Sequence, residues 1–300
     1  MDKDGYPGTG SFRKAAVALK NIFSNRLQRR VLGFDVRGKV CEIPHGSSVA
    51  YAAACNDSTP AYFDKQGGLV PPLFAARMVK EVLEEVILHP GLGMNVLRMV
   101  HAEQSLKFHR PLRVGMRVTP RAVIDKIREV STGEILDVEV SLSDEEGVVV
   151  EGLASMFMRV GGRGRRKRAE GERKSGGDDR PAMTEVARFS VGVDQPERYA
   201  AASGDYNPLH TSPFVARLAG FKGPIAHGLC VLAMTTGKLT EHLAEGDPSR
   251  LARVAVRFAH PVYPGQPLVV KVRQDALLTH FLVENDKGRP VLTEGQVVFK

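Results

Sequence analysis

The chain has 300 residues, 43% hydrophobic and 25% charged, with a formal net charge of +8 at pH 7. That length suits about two domains of roughly 100–200 residues each. No run of about 18 apolar residues occurs, which excludes a transmembrane helix, and the lack of Trp with only 6% aromatics argues against a surface that stacks nucleobases.

The opening MDKDGYPGTG carries two acids and no apolar core, so it does not read as a secretory signal. Residues 11–30 predict a basic amphipathic helix docked on the body of the protein. Phe12, Ala16, Leu19, Phe23 and Leu27 share one face, within an N-terminal extension over 1–34. A helix is expected over 75–88, then strands over 101–109, 117–128, 134–143 and 148–158. The Gly-, Arg- and Glu-rich stretch 161–182 has no apolar periodicity and predicts a disordered basic linker between domains at 35–160 and 183–300. Residues 1–40 carry +6 and residues 161–180 carry +4, which leaves −2 for the rest. The positive charge therefore marks a tail and a linker rather than a nucleic-acid surface. After the linker come a strand (189–193), a helix (195–203) and a polar turn. A short helix follows that Ser212-Pro213 starts and Gly220 ends. An apolar helix (226–243) and strands at 252–258, 267–274, 278–284 and 290–299 complete the chain. Cys41, Cys55 and Cys230 are odd in number and widely spaced, which points to a reducing, cytoplasmic setting.

The two halves repeat each other. YAAACND (51–57) matches YAAASGD (199–205) at an offset of 148. Pro72-Leu73 matches Pro224-Ile225 at 152, and FHRPLRVG (108–115) matches FAHPVYPG (258–265) at 150. Each half reads as one long helix followed by an antiparallel sheet, an α+β layer in which the sheet wraps the helix. Two copies can close their exposed edges by pairing, so the duplication predicts an internal pseudo-dimer; a homodimer of the whole chain is a further expectation.

The densest polar cluster is YAAASGDYNPLHTSPFVA (199–216). Asp205 and His210 sit five apart on a Pro-containing turn, where a carboxylate and an imidazole can converge on one water as acid and base. The same residues could instead form an Asx turn capping a helix. The sequence places no third ligand nearby and has no HExxH, so no metal site is expected, and no Rossmann, P-loop or GxSxG signature implies a cofactor or nucleophile.

Residues 199–216 resemble the signature of the MaoC-like dehydratases, the type 2 enoyl-CoA hydratases: Gly-Asp-x-Asn-Pro-aliphatic-His, then Ala six residues after the His. GFKGPIAHGL (220–229) is similar to that family's second block, and residues 89–115 resemble the first half of its double-domain members. The resemblance covers about 35–160 and 184–300. It implies a double hot dog fold and reversible hydration of a trans-2-enoyl thioester, on coenzyme A or acyl carrier protein, to the (R)-3-hydroxyacyl thioester in fatty acid metabolism, with no cofactor. It makes Asp205 and His210 the catalytic pair and the Gly228 N–H the oxyanion donor. The N–H is free at a helix start, where the dipole favours negative charge. Tyr206, Asn207, Pro208, Leu209 and Phe258 join the substrate site, with Tyr199 and Ser203 packed behind. From the first half, the resemblance implies that His101, Ala102 and Lys126 contact the thioester substrate.

The first half departs from the pattern. Asp57 aligns with Asp205, but Thr59, Tyr62 and Ala76 replace Asn207, His210 and Gly228, so this half is expected to be catalytically dead. The stretch between Tyr62 and Pro72 is also four residues shorter than its counterpart. The short overhanging helix is therefore expected to be missing there, and its loss to make room for a longer acyl chain. Ala102 replaces a Gly, and Ser212 stands where many members carry Asp; either can cap the Pro213 helix. The competing readings are a thioesterase on the same fold and a non-catalytic acyl-thioester sensor.

Overall fold

A computed structural model describes residues 17, 19, 21, 24–65, 67–160, 182–276 and 278–300, and the statements below concern these residues. The linker expected over 161–182 lies outside them, apart from Ala182. So does most of the N-terminal helix. Val17 and Leu19 are helical, but Leu19 is 70% exposed. Residues 24–28 are irregular and Arg29–Val31 form a 3-10 turn, so a helix does not continue to residue 30. Leu27 is nevertheless buried, held where its N–H donates to the Glu134 carboxylate at 2.7 Å.

Eleven strands form one antiparallel sheet. In chain order they are β1 (Asp35–Arg37), β2 (Cys41–Glu42), β3 (Met99–Phe108), β4 (Arg117–Val130), β5 (Gly133–Asp144), β6 (Gly147–Arg159), β7 (Thr184–Ser190), β8 (Leu251–Phe258), β9 (Pro267–Asp275), β10 (Leu278–Asn285) and β11 (Pro290–Phe299). The order across the sheet is β1-β4-β5-β6-β3-β8-β11-β10-β9-β7, with β2 beside β4. The two halves join at β3 and β8, from Glu103 opposite Arg257 to Lys107 opposite Arg253. Neither half thus leaves this edge open. The strand expected over 189–193 lies earlier, as β7. Val191 and Gly265 instead close the turn there, with the Gly265 N–H donating to the Val191 carbonyl at 2.7 Å.

Six helices complete the described fold: α1 (His45–Ala54), α2 (Phe74–Ile87), α3 (Gln195–Ser203), α4 (Pro208–Thr211), α5 (Pro213–Leu218) and α6 (Gly228–Leu243). The long helices α2 and α6 are the ones the sheet wraps. Cys230 to Thr236, Leu239 and Thr240 of α6 are buried. Three threonines survive there because each hydroxyl donates one turn back. Thr235 reaches Val231, Thr236 reaches Leu232 and Thr240 reaches Thr236, at 2.8–2.9 Å. On α2, Phe74, Ala75, Val79, Val82, Val86 and Ile87 are buried, each such side chain contributing about 1.5–3 kcal/mol if large.

The repeat is visible as near two-fold symmetry between α1 and α3. Tyr51 and Tyr199, 148 residues apart, meet with hydroxyl oxygens 3.1 Å apart. Tyr51 spends its proton on the Leu73 carbonyl at 3.1 Å, so Tyr199 is the donor to Tyr51. The fully buried Gln195 adds a second tie. Its amide donates to the Ala54 carbonyl, and its oxygen accepts from Asn56 at 3.1 Å. Arg198 reaches across to the Ala53 carbonyl at 3.1 Å.

Candidate active site

Local chain chemistry builds the turn after α3. Gly204 ends the helix in the left-handed region at φ +74°, which redirects the chain into Asp205. The buried Ser203 hydroxyl accepts the Asp205 N–H at 3.1 Å, the Asp205 carboxylate accepts the Asn207 N–H at 3.2 Å, and the Asn207 side chain accepts the Leu209 N–H at 3.1 Å. Three alternate side chains, each accepting from the N–H two residues on, thus satisfy backbone donors, and Pro208 starts α4 where no N–H is needed. Ser212 caps α5 by accepting from the Val215 N–H at 3.4 Å, which an Asp could also do.

This turn holds His210 with its Nδ1 2.9 Å from the Ile225 carbonyl. A carbonyl only accepts, so Nδ1 carries the proton and Nε2 keeps a lone pair. Burial pushes the ring below its ordinary value of 6.5, against the opposite pull of the Asp205 carboxylate. Gly228 is the first residue of α6, so its N–H has no acceptor within the helix. A Cβ there would lie 2.9 Å from the Phe258 ring, so glycine is what permits the close approach of Phe258.

Asp205, His210 and Gly228 face one cavity of about 850 Å³. Tyr199, Ser203, Tyr206, Asn207, Pro208, Leu209 and Phe258 line it too, with Tyr206 66% exposed at the rim. The first half supplies a further part of the wall from α2 and from β3, β5 and β6. His101 is part of that wall, its ring 5.0 Å from Phe258 and its Nε2 buried without a hydrogen-bond partner. Desolvation lowers its pKa to about 4.

Two residues expected here lie elsewhere. Lys126 is 56% exposed and pairs with Asp125 at 3.4 Å, away from the cavity. It falls on the inward parity of Val118, Ala122 and Ile124, but the β4–β5 register shifts between Ile124 and Lys126 and turns it out. Ala102 is likewise absent from the cavity lining. The register of β3 against β6 shifts between His101 and Glu103, so His101 faces the cavity in place of Ala102.

The structure adds His227, which sequence reasoning passed over. It precedes Gly228, is buried, and donates Nε2–H to the Asp205 carbonyl at 2.9 Å. Its ring stacks on His210 with centroids 3.7 Å apart and rests against Tyr199 at 4.9 Å. Burial, with a smaller push from the neighbouring His210, lowers its pKa to about 4. His227 also corrects the expectation of no third ligand, since one donor atom each from Asp205, His210 and His227 lie within 4.8 Å of one another. The residue types suit a metal, but the geometry does not. Rings stacked at 29° hold their in-plane lone pairs side by side rather than converging on one ion.

The aligned position in the first half has different chemistry. The Asp57 carboxylate is occupied by the Thr59 N–H at 3.1 Å and hydroxyl at 2.7 Å, and Tyr62 is buried. The Ala76 N–H, which aligns with the free Gly228 N–H, donates to the Leu73 carbonyl at 3.0 Å.

Residues 178–284 match the MaoC like domain and residues 30–152 match the FAS1-like dehydratase domain region. The chain is 32% identical over 200 residues to the 3-hydroxyacyl-thioester dehydratase Y of Mycobacterium tuberculosis, covering 61% of this chain and 67% of that protein. The chain belongs to the MaoC-like dehydratase family. It is also 31% identical over 210 residues to the mouse peroxisomal multifunctional enzyme type 2, covering 69% of this chain; the chain spans only 28% of that enzyme's length. A crystal structure of a MaoC-like dehydratase from Phytophthora capsici superposes with a TM-score of 0.71 at 21% identity, covering 90% of this chain and 96% of that one. A Mycobacterium tuberculosis protein described as a double hotdog superposes at 0.61 and 13% identity, over 89% and 95% of the two chains. The fold is that double hot dog, as the MaoC-like resemblance implies.

Proposed function

We propose that this MaoC-like protein is a hydro-lyase that reversibly hydrates trans-2-enoyl thioesters to (R)-3-hydroxyacyl thioesters in fatty acid metabolism. The observation that carries the reading is the meeting of Asp205, His210 and the Gly228 N–H on one cavity wall. The thioester carbonyl sits against the Gly228 N–H, where negative charge forming on its oxygen is stabilised by the donor and the start of α6. A water lies between the Asp205 carboxylate, which orients it, and His210 Nε2, which removes one proton. The water oxygen bonds to C3, the C2–C3 double bond opens, and the electron pair moves toward the thioester oxygen. The enolate then collapses as C2 takes the proton from the imidazolium, so one water is added overall and His210 returns to its neutral form. His227 holds the site by fixing the Asp205 backbone and flanking the His210 ring.

The substrate is an acyl thioester of coenzyme A or acyl carrier protein, with its acyl chain running along α2 in the first half. A cytoplasmic setting is the reading of the three free cysteines, and no helix among the described residues is long and apolar enough to cross a membrane. A thioesterase needs no such turn, and a sensor needs no free Gly228 N–H. The test is incubation of the full chain with crotonyl, octenoyl and hexadecenoyl thioesters on both carriers. Loss of the conjugated absorbance with formation of the (R)-3-hydroxy product supports the reading. Release of free thiol with the double bond intact makes it a thioesterase, and no change in either makes it a sensor.

A further inference from the structure

The wall that the first half gives the cavity is not uniformly apolar. Helix α2 turns Ala76, Arg77, Lys80, Leu83, Glu84 and Ile87 toward it. Lys80 and Glu84 form an ion pair one turn apart, so that cation is answered within the helix. Arg77 is not. Its Nε is buried without a hydrogen-bond partner, and it makes no ion pair among the described residues. Glu81, four residues on and the usual helical partner, is exposed and raises the pKa of Cys41 on β2 through its charge. Its guanidinium carbon lies 5.4 Å from the centroid of the Phe74 ring, and its charge also acts on the buried Tyr51 hydroxyl. A buried guanidinium N–H left without an acceptor is costly, and a ligand that brings an anion to it recovers that cost.

The position of Arg77 says which end of the ligand. It follows Ala76, the counterpart of Gly228, and one turn later the stem of Lys80 lies 4.0 Å from where a Cβ of Gly204 would sit, beside Asp205. The carrier's phosphates stand at the far end of the pantetheine arm from the reacting carbons, whereas this part of α2 lies opposite them. We propose that Arg77 is a carboxylate-binding subsite, and that the preferred substrate is an enoyl thioester whose acyl group carries a carboxylate beyond the double bond. This deepens the hydratase reading and rests on it. The planar guanidinium suits a carboxylate through two parallel hydrogen bonds, which a Lys cannot copy.

The experiment compares trans-2-enoyl-CoA esters of six to twelve carbons with their ω-carboxy counterparts, in the wild-type chain and in Arg77→Met and Arg77→Lys. The readout is the ratio of kcat/KM for the carboxylated over the plain ester at each length. The wild type should favour the carboxylated ester at one length or more. That ratio should fall by about 10–100-fold in Arg77→Met, the equivalent of a lost hydrogen bond between charged groups, with partial recovery in Arg77→Lys. A ratio that Arg77→Met leaves unchanged overturns the proposal. If both esters then weaken on coenzyme A but not as pantetheine thioesters, Arg77 serves the carrier phosphate instead. Calorimetric binding of saturated acyl-CoA and ω-carboxyacyl-CoA runs beside the kinetics. Should the wild type hydrate nothing, the hydratase reading fails on its own, and the same binding ratio still decides the subsite.

Discussion

His210 can take a proton from water only while its ring is neutral. Burial lowers its pKa from 6.5, so hydration should stay flat from pH 8 down through neutrality and fall only below 6.5. A pH–rate profile that instead drops between 8 and 7 would contradict the assignment of the base. The same shifts act on stability. His101 and His227 have pKa values of about 4 in the fold against 6.5 in the unfolded chain. The unfolded state therefore binds more protons between those values. Their contribution is complete above pH 6.5 and is lost as pH falls toward 4, which denaturant midpoints taken across that window will show. Gly228→Ala would press a methyl against Phe258 at 2.9 Å and displace the donor. Turnover should fall by about 10²–10³-fold, the usual cost of one oxyanion donor. Lys126→Ala should change kcat/KM by no more than about twofold, as surface substitutions do, while His101→Ala should raise KM. Equal effects of the two would return Lys126 to the site.

At the scale of elements, most of the fold was readable because side-chain periods and caps agree with the tertiary result. The helix expected over 195–203 is α3, and strands expected over 267–274 and 290–299 are β9 and β11 within a residue. Reading failed where a tertiary event breaks the local period. Bulges in β3 and β4 turn Ala102 and Lys126 away from the cavity, and no local signal in the sequence announces a bulge. His227 was hidden for the converse reason. As a helix N-cap it looks structural, and only folding stacks it on a histidine 17 residues earlier. Asp205, His210 and Gly228 were legible because their spacing along the chain resembles a known family. Because the two stacked rings hold their lone pairs apart, dialysis against a chelator should leave hydration intact. Loss of activity restored by one divalent ion would make Asp205, His210 and His227 a ligand set.

For the whole molecule, the halves are held by the β3–β8 ladder, the Tyr51–Tyr199 contact and the Gln195 network. None of these depends on the peptide between them. A protease site placed in 161–182 and cut should therefore leave two fragments that elute together and retain hydration, whereas residues 183–300 alone lack the α2 wall of the cavity. Fragments that separate while the second keeps full long-chain activity would remove the first half from the site. In the proposed reaction one turn reacts and its duplicate does not. The most direct measurement follows the conjugated absorbance of an enoyl thioester with Asp205→Asn and Asp57→Asn side by side. Turnover should fall by about 10²–10⁴-fold in Asp205→Asn and stay near wild type in Asp57→Asn, whose neighbour Thr59 can still bond an Asn oxygen. Wild-type turnover in Asp205→Asn, or an equal loss in both, would contradict it.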